Sequence, residues 1–107
     1  MKIFLSAILL LGLAQQALAA ADFAAPTQVT VTTTSTEHLS SNAGRTYLLI
    51  VNRGSNTVYV KPSSAHSGTE GVPITGGGNW EPSTVPKNSF YMKTASGTST
   101  VDILEGN

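Results

Sequence analysis

The 107-residue chain contains no cysteine, so neither a disulfide framework nor a thiolate metal site is open to it. Exported domains of this size commonly rely on disulfides, because a short chain buries only about 60% of its unfolded surface. With that route closed, association between copies is the expected substitute source of buried area. Charge is scarce as well, since Asp, Glu, Lys and Arg make up 11% of the residues. Beyond Ala19 the balance is Arg45, Arg53, Lys61, Lys87 and Lys93 against Asp22, Glu37, Glu70, Glu81, Asp102 and Glu105, a net of minus one. No arginine-rich stripe exists, which argues against capture of nucleic acid or an anionic membrane by charge. Helical periodicity is missing too: nowhere after residue 19 do apolar residues recur at helical spacing over three turns.

One long apolar run is present, at the start. Lys2 precedes Ile3 to Ala14, which is apolar apart from Ser6 and Gly12. Gln15 and Gln16 follow, and then Ala17-Leu18-Ala19 gives the small-x-small pattern read by signal peptidase. The run falls short of the ~20 residues that a spanning helix needs. Residues 1–19 are therefore expected to be an export signal cleaved between Ala19 and Ala20, with an uncleaved membrane anchor as the alternative. An extended lead-in over 20–27, where Pro26 bars a helix, and one β-domain over 28–107 complete the expected organisation.

Within that domain the strand signals are dense. Gln28 to Thr34 (QVTVTTT) alternates with period two, as a strand with one wet face does. Glu37-His38-Leu39 reads as a short second strand. Tyr47 to Val51 (YLLIV) is apolar on both faces, with Tyr47, Leu49 and Val51 on one and Leu48 and Ile50 on the other. A strand of that kind is expected to be covered on both sides, by the core and by a second layer or a neighbouring subunit. Tyr47, Leu48 and Ile50 are accordingly candidate subunit contacts.

The segment Arg45 to Pro62 (RTYLLIVNRGSNTVYVKP) reads as a β-hairpin, with Val58 and Val60 inward and Tyr59 outward. Ser63 to Gly78 is rich in glycine and reads as loop, anchored by Val72 and Ile74, before a short strand at Asn79-Trp80-Glu81. Ser89 to Thr94, with Phe90 and Met92 inward, and Thr100 to Glu105, with Val101 and Ile103 inward, read as a second hairpin. Six to eight short strands with frequent turn signals predict an all-β fold: a small antiparallel, jelly-roll-like sandwich or barrel.

The supply of reactive groups is thin. Glu37 and His38 are neighbours in a predicted strand, which places their side chains on opposite faces. His66 and Glu70 are separated by Ser67-Gly68, so no helical metal-ligand spacing arises. No serine sits in a Gly-x-Ser-x-Gly elbow, and Gly76-Gly77-Gly78 lacks the Lys and the following helix of a phosphate loop. The expectation is no enzyme, no cofactor and no metal. Tyr59, Trp80 and Tyr91 are weak candidates for a sugar-stacking surface, against the plainer reading that they pair across strands.

The order R-x-Y-L-L-I-x-N (Arg45 to Asn52), the glycine turn at Gly54, Gly71-Val72-Pro73-Ile74 with Gly76-Gly77-Gly78-Asn79-Trp80-Glu81, Val85 to Tyr91, and the terminal Glu105-Gly106 resembles small β-domain proteins of tailed bacteriophages. These are described as head-fibre, head-decoration or cement-type proteins, and the resemblance covers most of Pro26 to Gly106. It implies a multimeric, non-catalytic module, with a trimer favoured, that binds a capsid or other virion protein or a host-surface glycan. The expected location is the virion. The export signal departs from that family's pattern and points to the alternative, a secreted or periplasmic binding module for carbohydrate or another cell-surface polymer.

Overall fold

The structure, a computed structural model of the chain, describes residues 25–65 and 69–107. The expected signal segment, the Ala19/Ala20 junction and His66 lie outside the described residues. Among the described residues eight strands follow one another: β1 (Thr27–Val31), β2 (Thr36–Leu39), β3 (Tyr47–Asn52), β4 (Val58–Lys61), β5 (Val72–Ile74), β6 (Asn79–Trp80), β7 (Phe90–Thr94) and β8 (Ser99–Gly106). They form two four-stranded antiparallel sheets, ordered β1-β8-β3-β6 and β2-β7-β4-β5. This is the jelly-roll order, two interleaved Greek keys packed as a sandwich.

Each inner face is the apolar half of an alternating strand. The first sheet contributes Val31, Leu48, Ile50, Val101 and Ile103, and the second Leu39, Val58, Val60, Ile74, Phe90 and Met92. In register, Ile103, Ile50 and Trp80 line up across β8, β3 and β6. Trp80 then meets Phe90 of the opposite sheet edge-on, with ring centroids 5.6 Å apart at 79°. That T-shaped pair joins the two layers where the first sheet has only a two-residue edge strand.

Neither expected hairpin exists. β3 and β4 lie in opposite sheets, and so do β7 and β8. Two-residue turns return a chain beside itself, whereas the longer connections here carry it across the core. The β3–β4 crossing is held by Asn52, whose Nδ2 donates to Asn56 O (2.8 Å) while its Oδ1 accepts from Gly54 N (3.1 Å). Gly54 is required there, because a Cβ would stand 2.0 Å from Ser99 Oγ and 2.9 Å from Ser99 Cα. In the β7–β8 crossing Thr94 Oγ1 donates to Gly97 O (2.6 Å), and Gly97 takes a φ of 66°. Asn56 Nδ2 donates to Thr98 O (2.8 Å) and binds the two crossings to each other.

The glycine-rich stretch read as loop also contains a strand. β5 pairs with β4, placing Pro73 opposite Tyr59. Pro73 is compatible with this because β5 is the outermost strand of its sheet, where a missing N–H breaks no ladder. Among the described strands, β4 and β5 are the one consecutive pair that are hydrogen-bonded neighbours.

The facing of β3 gives a direct test. Ile50→Ala is expected to cost about 2–5 kcal/mol, as buried large-to-small changes do. Leu49→Ala, on the half-buried outer face, is expected to cost no more than roughly half as much. Urea unfolding followed by Trp80 fluorescence measures both, and equal losses would contradict the assigned facing.

Candidate functional site

Two buried polar side chains bracket β3. Arg45, just before the strand, has no exposed surface. Its Nε donates to Glu105 Oε2 (3.1 Å), its NH1 to Pro86 O (2.5 Å) and Asn88 O (3.1 Å), and its NH2 to Ser40 O (2.7 Å). One guanidinium therefore joins the β2–β3 connection, the β6–β7 connection and the end of β8. Lys87 reinforces this pole, with Nζ donating to Ala43 O and Arg45 O at 3.0 Å each. Asn42 adds bonds to Glu105 Oε2 (3.0 Å) and Asn107 Oδ1 (2.8 Å).

Asn52, the last residue of β3, is equally buried. Besides its bonds to Asn56 and Gly54, its Nδ2 donates to Ile74 O (2.8 Å) and its Oδ1 accepts from Ser99 Oγ (2.5 Å). Its backbone N donates to Gly78 O and its O accepts from Gly77 N, both at 2.9 Å. All four side-chain positions of the carboxamide are used. Arg45 and Asn52 are the first and last letters of the R-x-Y-L-L-I-x-N pattern. The sequence pattern alone assigns a role to neither. The available signal was a charged and an amide residue set at the two ends of a strand apolar on both faces.

With these two groups committed to the fold, the outer faces of the two sheets are the next surfaces to consider among the described residues. On the first sheet the outward row of β3 is Tyr47, Leu49 and Val51, each half-buried, with Leu104 of β8 opposite Leu49. The Tyr47 hydroxyl donates to the Glu81 carboxylate. That hydrogen bond, then burial, then the nearby negative charge hold the Tyr47 phenol above its usual range. Two of the three candidate subunit contacts need correction. Leu48 and Ile50 show no exposed surface and point into the core between the sheets, so they have nothing left to offer a neighbour. The outward residues of the same strand are Tyr47, Leu49 and Val51.

On the second sheet, Tyr59 and Tyr91 share the outer face. Tyr59 lies opposite Lys93 and Pro73, and Tyr91 opposite Lys61 and Glu37. Trp80 is not with them. It belongs to the other sheet and packs against the core, which removes it from any surface formed by the two tyrosines. Lys61 is paired with Glu70 and also donates to Ala65 O (2.9 Å). At one end of this face, Ser55, Asn56, Thr57, Tyr59, Ala95 and Ser96 line a depression of about 280 Å³.

His38 sits at a bulge: β2 and β7 pair Glu37 with Tyr91 and Leu39 with Phe90, leaving His38 as the extra residue. The strict alternation expected for Glu37 and His38 is broken there, and the two make no hydrogen bond or ion pair with each other. Burial pushes the His38 imidazole below its ordinary value of 6.5. Among the described residues no group of three or more His, Asp or Glu is placed to hold a metal ion. Comparison with protein-family models, with curated proteins and with solved structures returns no match.

Arg45→Met is expected to lower stability by at least about 3 kcal/mol, because three carbonyls lose charge-assisted bonds at once. Glu105→Gln is expected to cost about 1 kcal/mol or less, since the Glu105 side chain is 27% exposed. Chemical denaturation measures both, and a harmless Arg45→Met would show that the pole holds without its guanidinium. For His38 the lowered value means that the fold favours the neutral ring. Its contribution is fully present above pH 6.5 and is lost as pH falls through the lower folded-state value. Melting temperature is expected to drop with acidification through this window, and His38→Gln to reduce the slope; an unchanged slope would assign the drop to other groups.

Proposed function

We propose that this chain is a non-enzymatic structural module of a virion surface, docking on a capsid or other virion protein as a homo-oligomer, with a trimer favoured. The observation that carries this reading is the outward row of Tyr47, Leu49, Val51 and Leu104 on the two central strands of the first sheet. An antiparallel sheet with one solvated face ordinarily turns polar side chains outward, as the edge strand β1 of the same sheet does with Gln28 and Thr30. An apolar row in that position supports contact with a further protein surface. The jelly-roll topology is consistent with it, since viral capsid domains recur on this architecture, although lectins do so too.

Magnitudes bound the contact. The four side chains are already half-buried, so covering the remainder contributes on the order of 1–3 kcal/mol per subunit at ~25 cal/mol per Å². Association costs at least about 4 kcal/mol in lost translational and rotational freedom. The row is therefore one part of a larger contact, in which each subunit meets two neighbours or a neighbour and the capsid. A closed trimer meets that requirement.

Leu49→Asp tests the reading without reaching the core. The variant is expected to keep its fold by circular dichroism and to sediment as a smaller species than the parent chain. Mass spectrometry of purified particles is expected to find the parent chain and its true N-terminus. An unchanged sedimentation coefficient together with absence from the particles would overturn the proposal.

A further inference from the structure

We propose that the outer face of the second sheet is a carbohydrate site, taking acidic pyranose rings across Tyr59 and Tyr91 and into the adjoining depression. This lies on the opposite face from the row of Tyr47, Leu49, Val51 and Leu104 and does not rest on the assembly reading. One face can hold the module in place while the other remains open.

Three observations carry it. First, Tyr59 and Tyr91 are diagonal neighbours, since Tyr59 pairs with Lys93 and Lys61 with Tyr91. That spacing is about 7–8 Å, within reach of adjacent rings of one chain. The inward positions of these strands are already filled by Val58, Val60, Phe90 and Met92. The tyrosines thus lie half-buried on the outer face, phenol rings with a polar tip, suited to the C–H face and hydroxyl edge of a sugar.

Second, the depression beside Tyr59 is preformed. It lies where the β3–β4 and β7–β8 crossings meet, and the bonds from Asn52 to Asn56 O and from Asn56 to Thr98 O fix its walls. Its volume of about 280 Å³ is near the lower end of ligand sites, enough for one ring and not for an extended chain. The hydroxyls of Ser55, Thr57 and Ser96 make no hydrogen bond to other described residues. They are available to pair with ring hydroxyls, which water otherwise satisfies.

Third, the charges are arranged in one direction. Lys61 is engaged by Glu70, and Glu37 flanks Tyr91 at the far edge. Lys93, directly opposite Tyr59, makes no ion pair among the described residues. An ammonium group beside the stacking ring nearest the depression selects a carboxylate on the sugar bound there.

The test is a titration of the full chain with tetragalacturonate and with neutral galactotetraose, followed by backbone amide NMR. Saturable shifts are expected at residues 55–59 and 91–96 and not at Val51 or Leu104, with tighter binding of the acidic probe. Tyr59→Ala is expected to weaken binding about tenfold, with an unchanged melting temperature confirming its fold. Lys93→Gln is expected to bring the acidic probe down to the neutral one. No saturable shift with either sugar, or full binding by folded Tyr59→Ala, overturns the proposal. Equal binding of both probes, unaffected by Lys93→Gln, overturns the selection for acid. A smaller sedimentation coefficient for Tyr59→Ala, with no response to sugar, assigns the face to protein contact instead.

Discussion

The carboxamide of Asn52 closes the sandwich at one pole. A jelly roll of this size has a structural problem that a meander does not: nearly every connection must carry the chain from one sheet to the other. Each crossing leaves backbone carbonyls and amides at the rim of the core, where an unpaired polar group is costly. Asn52 answers three crossings at once, through Asn56 and Gly54 in the first, Ile74, Gly77 and Gly78 in the second, and Ser99 at the end of the third. Arg45 does the corresponding work at the other pole with a larger side chain and a charge. Between them stands β3, paired on both sides and apolar on both faces.

This arrangement replaces what disulfides supply in other small domains. A covalent cross-link restricts the unfolded chain, whereas a buried, fully bonded arginine or asparagine acts in the folded state by making each loop's position depend on the others. The consequence is cooperativity: the poles form only when both sheets are in place. Strand partners are mostly distant in sequence, with β1 pairing to β8 and β2 to β7, so those contacts come at a high loop-closure cost.

The same constraint separates structure from recognition. The polar groups with the most bonds are buried at the poles and saturated, while the outer faces keep side chains that the fold itself does not require. One outer face bears an apolar row, the other a pair of tyrosines with lysines beside them. The two faces differ in kind because Leu49 and Leu104 meet across β3 and β8, whereas Tyr59 and Tyr91 each meet a lysine across β4 and β7.

Strand existence and facing were legible from residue order. Alternation identified β4, β7 and β8 with the right inward residues, because period two is a local property of the backbone and reports which side is dry. β5 was obscured by Gly71 and Pro73, whose local preferences do not reveal that an edge position tolerates them. Pairing was beyond local reading altogether. Arg53 to Thr57 and Ala95 to Thr98 have turn chemistry that suits a hairpin and an arch equally well. What sends the chain across the core is the burial of Asn52 and the fit of Gly54 against Ser99, a contact between positions 45 residues apart. The sequence by itself determined the all-β class, the strands and their dry sides. Only the tertiary structure decided which strands are neighbours, and with that which aromatic residues share a surface, since those depend on contacts that exist only once both sheets have met.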